Sequence, residues 1–444
     1  MTKLKISKKV STALLNSLGA GVVPRVGLEH ITVGREQELK SLLNNLNDIS
    51  EGIAAFRFII GNYGSGKSFM LQLIRNHAME QGFIVADADL SSERRLAGTN
   101  SQGLATYREL VSNLATKTRP DGGALVSIME GWINKIQQEV VKETQMRPND
   151  EGFDDKVEEK IREVVQYIED LVHGFDFSSV IIAYWRGYRS DDDDLKNSAL
   201  RWLRGEFTTK IEAKAALGVR VIINDDSWYD YIKLLAKFVA EIDYKGLLIL
   251  LDEAVYISQI ATTVTREKNY NRMLAMFNDT MQCKAEHLGI LVGGTTKFLE
   301  DPNRGLFADA AWRRRTKESR FATQAGVKEY MGPVMRLHPL SEEEIMTLLE
   351  RLMEIHTSNY GYKSSLKIKD LKEFLHEIVN RLGADALLTP GEIIRDFLSI
   401  LNITYQNPEI PFHQIIHGSE FKPTKAGFTL NDIDEEDDVA ELSL

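Results

Sequence analysis

The sequence has a single cysteine, Cys283, among 444 residues. That excludes an intramolecular disulfide framework and any zinc site built from several cysteines. It fits a reducing, cytoplasmic setting. Cys283 follows a helical pattern, which predicts a core or partly buried position. Proline is scarce at 10 residues while hydrophobic residues make up 43%, so the composition is neither disordered nor fibrous. No run approaches the ~18 apolar residues that read as a membrane span. Lys3, Lys5, Lys8 and Lys9 have no apolar segment behind them, which argues against a cleaved secretory signal. Length alone suggests about three units of roughly 150 residues.

Balanced charge is also lacking. The net charge is −11, but residues 431–444 (NDIDEEDDVAELSL) hold seven acids and no base, leaving −4 on residues 1–430. Acidity therefore says little against nucleic-acid binding by the folded part, and the tail is expected to be disordered, with a protein-interaction tail or a DNA mimic as alternative roles. The main basic cluster is Arg313-Arg314-Arg315 with Lys317 and Arg320. Four aspartates, Asp191 to Asp194, predict a solvated loop.

What is present is an alternation of helix and strand patterns. Residues 34–50 place Leu39, Leu42, Leu43 and Leu46 at helical spacing. Residues 55–61 (AFRFIIG) read as a buried strand, with a helix from Lys67. Strands follow at 82–90, 246–254, 289–296 and, shorter, 334–340. Residues 104–240 are mostly helical, with Phe153, Val157, Ile161, Val164, Ile168 and Leu171 predicted on one face. Such alternation predicts an α/β fold with a parallel sheet.

Residues 61–68 read Gly61-Asn62-Tyr63-Gly64-Ser65-Gly66-Lys67-Ser68. This is GxxxxGK[ST] between a strand and a helix, the pattern of a P-loop. Glycines let successive backbone N–H groups turn toward phosphate oxygens, and the helix adds its positive end. Lys67 supplies a charge for the β- and γ-phosphates, and the Ser68 hydroxyl a ligand for Mg²⁺. ATP and Mg²⁺ are the cofactors this pattern implies.

Asp252 and Glu253 close the strand LLILL. A carboxylate at the carboxyl end of a parallel strand faces the ligand crevice. Asp252 is the candidate metal ligand, and Glu253 the candidate base that orients or deprotonates the attacking water. Thr295, at the tip of GILVGG, is a candidate to position that water. Arg304 and Arg313 to Arg315, with Arg315 foremost in the triplet, are candidates to reach the γ-phosphate of a neighbouring subunit. Arg395, in TPGEIIRDFL, could reach the nucleotide from a C-terminal helical lid.

The order of these motifs is similar to that of AAA+ ATPases, most of all the origin-recognition and STAND branches. Several phrases go further: VPRVGLEHITVGRE (23–36), FRFIIGNYGSGKSF (56–69), LATKTRPDGGAL (114–125), LRWLRGE (200–206), LLILLDEA (247–254), HLGILVGGTTKFLEDPNRGLF (287–307) and TPGEIIRDFL (389–398). Together they resemble the ATP-binding proteins of BREX and Pgl phage-defence systems, the BrxC/BrxD group, and the chain's size resembles the BrxD branch. The resemblance covers about 20–405. It implies ATP binding and hydrolysis in DNA-associated defence alongside other system proteins. The chain departs from that pattern at Thr296, where a proline is expected, and at Gly391, where a basic residue is expected.

Ser68 and Asp252 stand 184 positions apart, more than a minimal ATPase core needs. The expected organisation is an N-terminal arm over 1–33 and an AAA+-like core over 34–340 with a helical insertion near 105–220. A helical lid over 341–405 and a C-terminal segment with the acidic tail over 406–444 complete it. In the insertion, Trp185, Arg186, Tyr188, Arg189, Trp202 and Arg204 mix aromatics with bases. That mixture suits single-strand stacking, but a helix-bundle core with a solvated rim accounts for it better. The expected function is a Mg²⁺-dependent ATPase acting on or near DNA with other defence proteins, as a homo-oligomer dependent on nucleotide or DNA, with no membrane partner. The alternative is a STAND-like switch that holds nucleotide, turns over rarely and regulates partner proteins.

Overall fold

The computed structural model describes residues 6–169, 171–317, 328–382 and 389–417. Arg320 and the acidic segment 431–444 lie outside the described residues. Five strands form one sheet: β1 (Ala55–Ile60), β2 (Ile84–Asp89), β3 (Leu247–Asp252), β4 (Leu288–Gly294) and β5 (Val334–Arg336). The sheet is parallel throughout, in the order β2-β3-β4-β1-β5. Ile84 pairs with Leu247 and Asp89 with Asp252, while Leu247 pairs with Leu288. β1 and β4 are buried along their whole length. That is why they read as unbroken apolar runs rather than alternating ones. Arg57, inside β1, is tolerated there because its Nε donates to Asn45 Oδ1 at 2.8 Å. No helix among the described residues is long and apolar enough to cross a membrane.

The chain divides into two units, one formed by Met1–Ser41, Ile59–Asn76 and Lys328–Leu444, the other by Leu42–Phe58 and His77–Val327. In the first unit the helix Lys8–Gly19 packs against the helices Glu342–Tyr360 and Pro390–Gln406. It buries Leu14, Leu15 and Leu18. Its Ser11 and Thr12 hydroxyls both bond Asn359 Oδ1, at 2.7 and 2.9 Å. Residues read from sequence as an arm are thus docked on helices more than 300 positions away. Glu342–Tyr360 starts with a full capping box between Ser341 and Glu344, which satisfies two N–H groups that would otherwise lack partners. Pro390 stands in the first turn of its helix, where its missing N–H costs nothing.

In the second unit seven helices of the described residues lie between β2 and β3, from Gln102–Ser112 to Trp228–Glu241. Phe153, Val157, Ile161 and Val165 are fully buried. Val165 rather than Val164 continues that face, because the i, i+4 rows of a helix lie one above the other. Trp185 and Trp202 are buried to 2% and 1% exposure, and Trp202 Nε1 donates to Val221 O. Arg186 and Arg189 pair with Glu158 and Asp154. Trp185 and Trp202 are core, Tyr188 is half-buried, and Arg186 and Arg189 are matched by acids.

Two expectations change. The aspartate run is not a loop but a junction. Asp191 ends the helix Gly174–Ser190 in the left-handed region, and Asp192 accepts from Leu195 N to cap the helix Asp193–Leu203. Acidic residues suit a helix N-terminus, where their charge meets the positive end of the dipole. Cys283 is exposed, not core. It sits at φ 55 just beyond the helix Thr263–Met281, so the helical pattern that predicted its burial has already ended.

Candidate functional site

In the first unit β1 runs into the loop Gly61 to Ser68, and the helix Lys67–Glu80 begins inside it. Gly64 and Gly66 have φ of 74° and 91°, a region open to glycine at no steric cost. A Cβ on Gly61 would fall 2.3 Å from Ser65 Oγ and 2.9 Å from Leu337 O. A Cβ on Gly64 would fall 2.3 Å from Thr389 Cγ2. Around Gly66 there is open space instead, with nothing within 4 Å of a built Cβ. Lys67 Nζ donates to Asn62 O at 3.1 Å. The Ser65 hydroxyl is buried and has no hydrogen-bond partner among the described residues. A buried hydroxyl without a partner carries a desolvation cost, which an oxygen-rich ligand in the loop would remove. The residues present therefore fit a phosphate chain.

One residue missed by sequence reading holds this loop. Arg35 is 7% exposed. Its Nη2 donates to Ser65 O at 2.9 Å and to His338 O at 2.7 Å, and its Nη1 lies 3.6 Å from Glu38 Oε1. Burial pushes its pKa down, and Glu38 opposes that shift. A buried charge persists only when paired and hydrogen-bonded, and here those bonds anchor the phosphate loop at Ser65. The sequence signal was VGRE, whose arginine stands just before the helix Glu36–Ser50.

The start of Pro390–Gln406 also meets the loop. Thr389 is buried against Gly64, and its hydroxyl donates to the Glu392 carboxylate. Burial raises the Glu392 pKa. Arg395 Nε is buried without a partner among the described residues, and its guanidinium faces Gly21, where a built Cβ would lie 3.8 Å from Cζ. Arg395 thus lies beside the N-terminal segment.

In the second unit Asp252 ends β3 half-buried, and Glu253 follows exposed. Glu253 has φ 57, which is uncommon for a residue with a side chain. The turn is held by Glu253 N donating to Asp252 Oδ1 at 2.8 Å and Ala254 N donating to Gly293 O at 3.0 Å. Asp89, opposite Asp252 in the register, was not singled out from sequence. Burial, and then the charges of Asp252 and Asp87, raise its pKa. The signal was available, since DADL ends a strand in an acid just as LLILLD does.

All but one of the remaining candidates are engaged within their own chain. Thr295 Oγ1 accepts from Phe298 N at 3.1 Å and caps the helix Thr296–Glu300. Arg304 donates from Nε to Ser258 O at 3.1 Å and from Nη2 to Gln259 O at 3.0 Å. It thereby closes the carboxyl end of the short helix Val255–Gln259. Arg313 Nε donates to Phe307 O and Arg315 Nη1 to Ala311 O, both at 3.0 Å. Arg314, exposed on the helix Ala310–Thr316, makes no hydrogen bond or ion pair with the described residues.

The glycine loop, its lysine and the acid-ended strand are the parts expected of a nucleotide-binding protein. No match was found among the curated proteins. The family model described as BREX system ATP-binding protein BrxC/D matches residues 6–420, nearly the whole chain, and the chain belongs to that family.

Proposed function

We propose that the chain is a Mg²⁺-dependent ATPase of a BREX phage-defence system, AAA+-like in layout, that acts on or near DNA with other defence proteins. The observation that carries the reading is the loop at 61–68, with its two left-handed glycines, its Lys67 and the unpartnered Ser65 hydroxyl. In this reading the loop N–H groups bind the phosphates and Lys67 neutralises charge on the β- and γ-oxygens. Mg²⁺, held by the oxygen ligands Ser68 and Asp252, would supply charge neutralisation on the transferred phosphoryl group. Glu253 takes the proton of the attacking water as its oxygen bonds to the γ-phosphorus. The bond to the β-phosphate oxygen breaks, leaving ADP and phosphate. Thr295 can still donate its hydroxyl proton to that water while its oxygen caps the helix. Arg395 reaches the nucleotide from the helical lid over 341–405.

Two variants separate binding from chemistry. Lys67→Ala removes a charge-assisted contact of roughly 1.5–3 kcal/mol, so calorimetry should find ATP binding about tenfold weaker or worse. Unchanged binding would remove the assignment of the loop. Glu253→Gln should bind ATP normally and hydrolyse it ~10²-fold more slowly or worse. A wild-type rate in that variant would assign the proton transfer elsewhere. A second reading, a STAND-like switch with little turnover, is favoured by the in-chain bonds of Arg304 and Arg315. It predicts tight nucleotide binding with negligible release of phosphate by the wild-type protein.

A further inference from the structure

The helix Pro390–Gln406 starts against the phosphate loop, within the same unit. The Thr389 side chain fills the space where a side chain on Gly64 would go, with Oγ1 3.3 Å from the built Cβ. Thr389 is 5% exposed, so the helix start and the loop are in direct contact. The Thr389 hydroxyl donates to the Glu392 carboxylate, which also accepts from the backbone N–H groups of Thr389 and Glu392. The carboxylate therefore lies one hydrogen bond beyond a hydroxyl that rests on the loop. The first turn of the helix, Pro390-Gly391-Glu392-Ile393, contains this acid and no base.

A helix N-terminus ordinarily attracts anions, because its free N–H groups and its dipole both favour negative charge. Here an anion of the chain itself already sits on that end. Phosphates bound by the N–H groups of 61–68 come to lie beside Gly64, so two sets of negative charge face each other across Thr389. Like charges at such separations repel appreciably where little water lies between them. Burial already disfavours the charged carboxylate and raises its pKa, while its backbone bonds oppose that shift. The charge of Arg395 acts with those bonds and the charge of Asp396 against them. Capping accounts for a glutamate at the third position of a helix, but the same charge also reaches the loop on which this helix start rests.

We propose that Glu392 sets nucleotide preference at the phosphate loop: its carboxylate opposes bound phosphate charge, and so lowers affinity for a nucleoside triphosphate more than for a diphosphate. The proposal rests on the reading of 61–68 as the ATP site. It makes Glu392 a specificity-determining residue that takes no part in bond breaking.

The test is calorimetric titration of the full chain with ATP and with ADP, in Glu253→Gln protein so that ATP stays intact. Glu392→Gln keeps the size and hydrogen bonds of the side chain and removes its charge. It should tighten ATP binding by about three- to tenfold and ADP binding by less, the scale of a partly screened charge at this range. High salt should shrink the difference, because screening acts on charge and not on capping. Glu343→Gln removes the same charge from an exposed position in the first turn of Glu342–Tyr360. It should leave both affinities unchanged. A damaged helix start would bind nucleotide less well, so a gain in affinity cannot arise from misfolding. Where Glu392→Gln does not fold, Glu392→Ser also removes the charge and should show the same gain. Unchanged or weaker ATP binding in a folded charge-free variant overturns the proposal, and weakening confined to solutions with Mg²⁺ would make the carboxylate a metal ligand instead. Lys67→Ala separates the two readings. If it abolishes ATP binding while Glu392→Gln changes nothing, the ATP site stands and only the role of Glu392 falls; ATP binding indifferent to Lys67→Ala overturns both.

Discussion

The phosphate loop and the arginine stretch 304–315 both present polar groups near a chain reversal, but they use them in opposite ways. Along the loop, Ser65 Oγ has no partner among the described residues, and Arg395 Nε, on the helix that meets it, has none either. Along the stretch, Arg304, Arg313 and Arg315 each bond a carbonyl of their own chain. Buried donors without partners are costly, and a ligand is one source of the missing acceptor. Donors already satisfied do structural work, and recruiting one for catalysis means breaking a bond it holds. The difference separates groups with hydrogen-bonding capacity left over from groups already engaged.

The comparison is broken most severely at Arg35, whose bonds are complete although it serves the loop. Removing one member of a buried ion pair typically costs about 3–5 kcal/mol, because the other charge is left without compensation. Arg35→Met should strand the Glu38 carboxylate, release the Ser65 and His338 carbonyls, and lower the urea midpoint accordingly. Arg35→Lys keeps the charge but lacks the planar fork that reaches both carbonyls. It should lose less stability while still weakening ATP binding. Equal stability of the methionine variant and the wild type would make the pair dispensable.

Arg304 and Arg314 sharpen the contrast inside the stretch itself. Arg304→Ala removes two bonds from a charged donor to Ser258 and Gln259, worth about 1.5–3 kcal/mol each. It should lower the melting temperature whatever it does to hydrolysis. Arg314→Ala removes a side chain with no described partner and should leave stability within ~0.5 kcal/mol of the wild type. If an arginine acts across a subunit boundary, Arg314 is, among the described candidates, the one free to do so. Its loss should then reduce hydrolysis by on the order of 10³-fold while ATP still binds. Mixing that variant with Glu253→Gln should restore some activity, since one partner supplies the intact arginine and the other the intact carboxylate. A monomeric mass under ATP and DNA, together with no recovery on mixing, removes the mechanism.

What could be read from sequence follows how local each feature is. The loop at 61–68 and the pair Asp252-Glu253 are contiguous, so residue type and spacing carried them. The parallel sheet was legible because strands buried on both faces leave unbroken apolar runs such as LLILL. The bracing of the loop by Arg35 was not, since the carbonyls it bonds belong to Ser65 and His338, far apart in the chain. A carbonyl acceptor has no sequence signature, and the same holds for Arg304 on Ser258 and Gln259. Trp185 and Trp202 near arginines suited both a stacking platform and a bundle core. Only burial decides between those, and it places both in the core.

His356 gives the smallest expected effect, and it tests whether a group with both nitrogens engaged resists a change of charge. Asn402 Oδ1 can only accept, so His356 Nε2 carries the proton there. The Tyr362 hydroxyl then donates to Nδ1. The imidazole is 1% exposed, and burial pushes its pKa below the ordinary 6.5 while the Asn402 bond opposes the shift. Between the lowered folded pKa and 6.5 the unfolded chain binds a proton that the folded chain does not. Stability from this group is therefore complete above about pH 6.5, falls as pH drops through that value, and levels off below the folded pKa. Thermal melts of the full chain from pH 7.5 to 5 should lose on the order of a few degrees through this group. His356→Gln keeps a polar side chain but cannot titrate, so its melting temperature should be lower at pH 7.5 and flatter with pH. A variant whose pH profile parallels the wild type would mean that other groups, not the imidazole held by Tyr362 and Asn402, set the acid sensitivity of this unit.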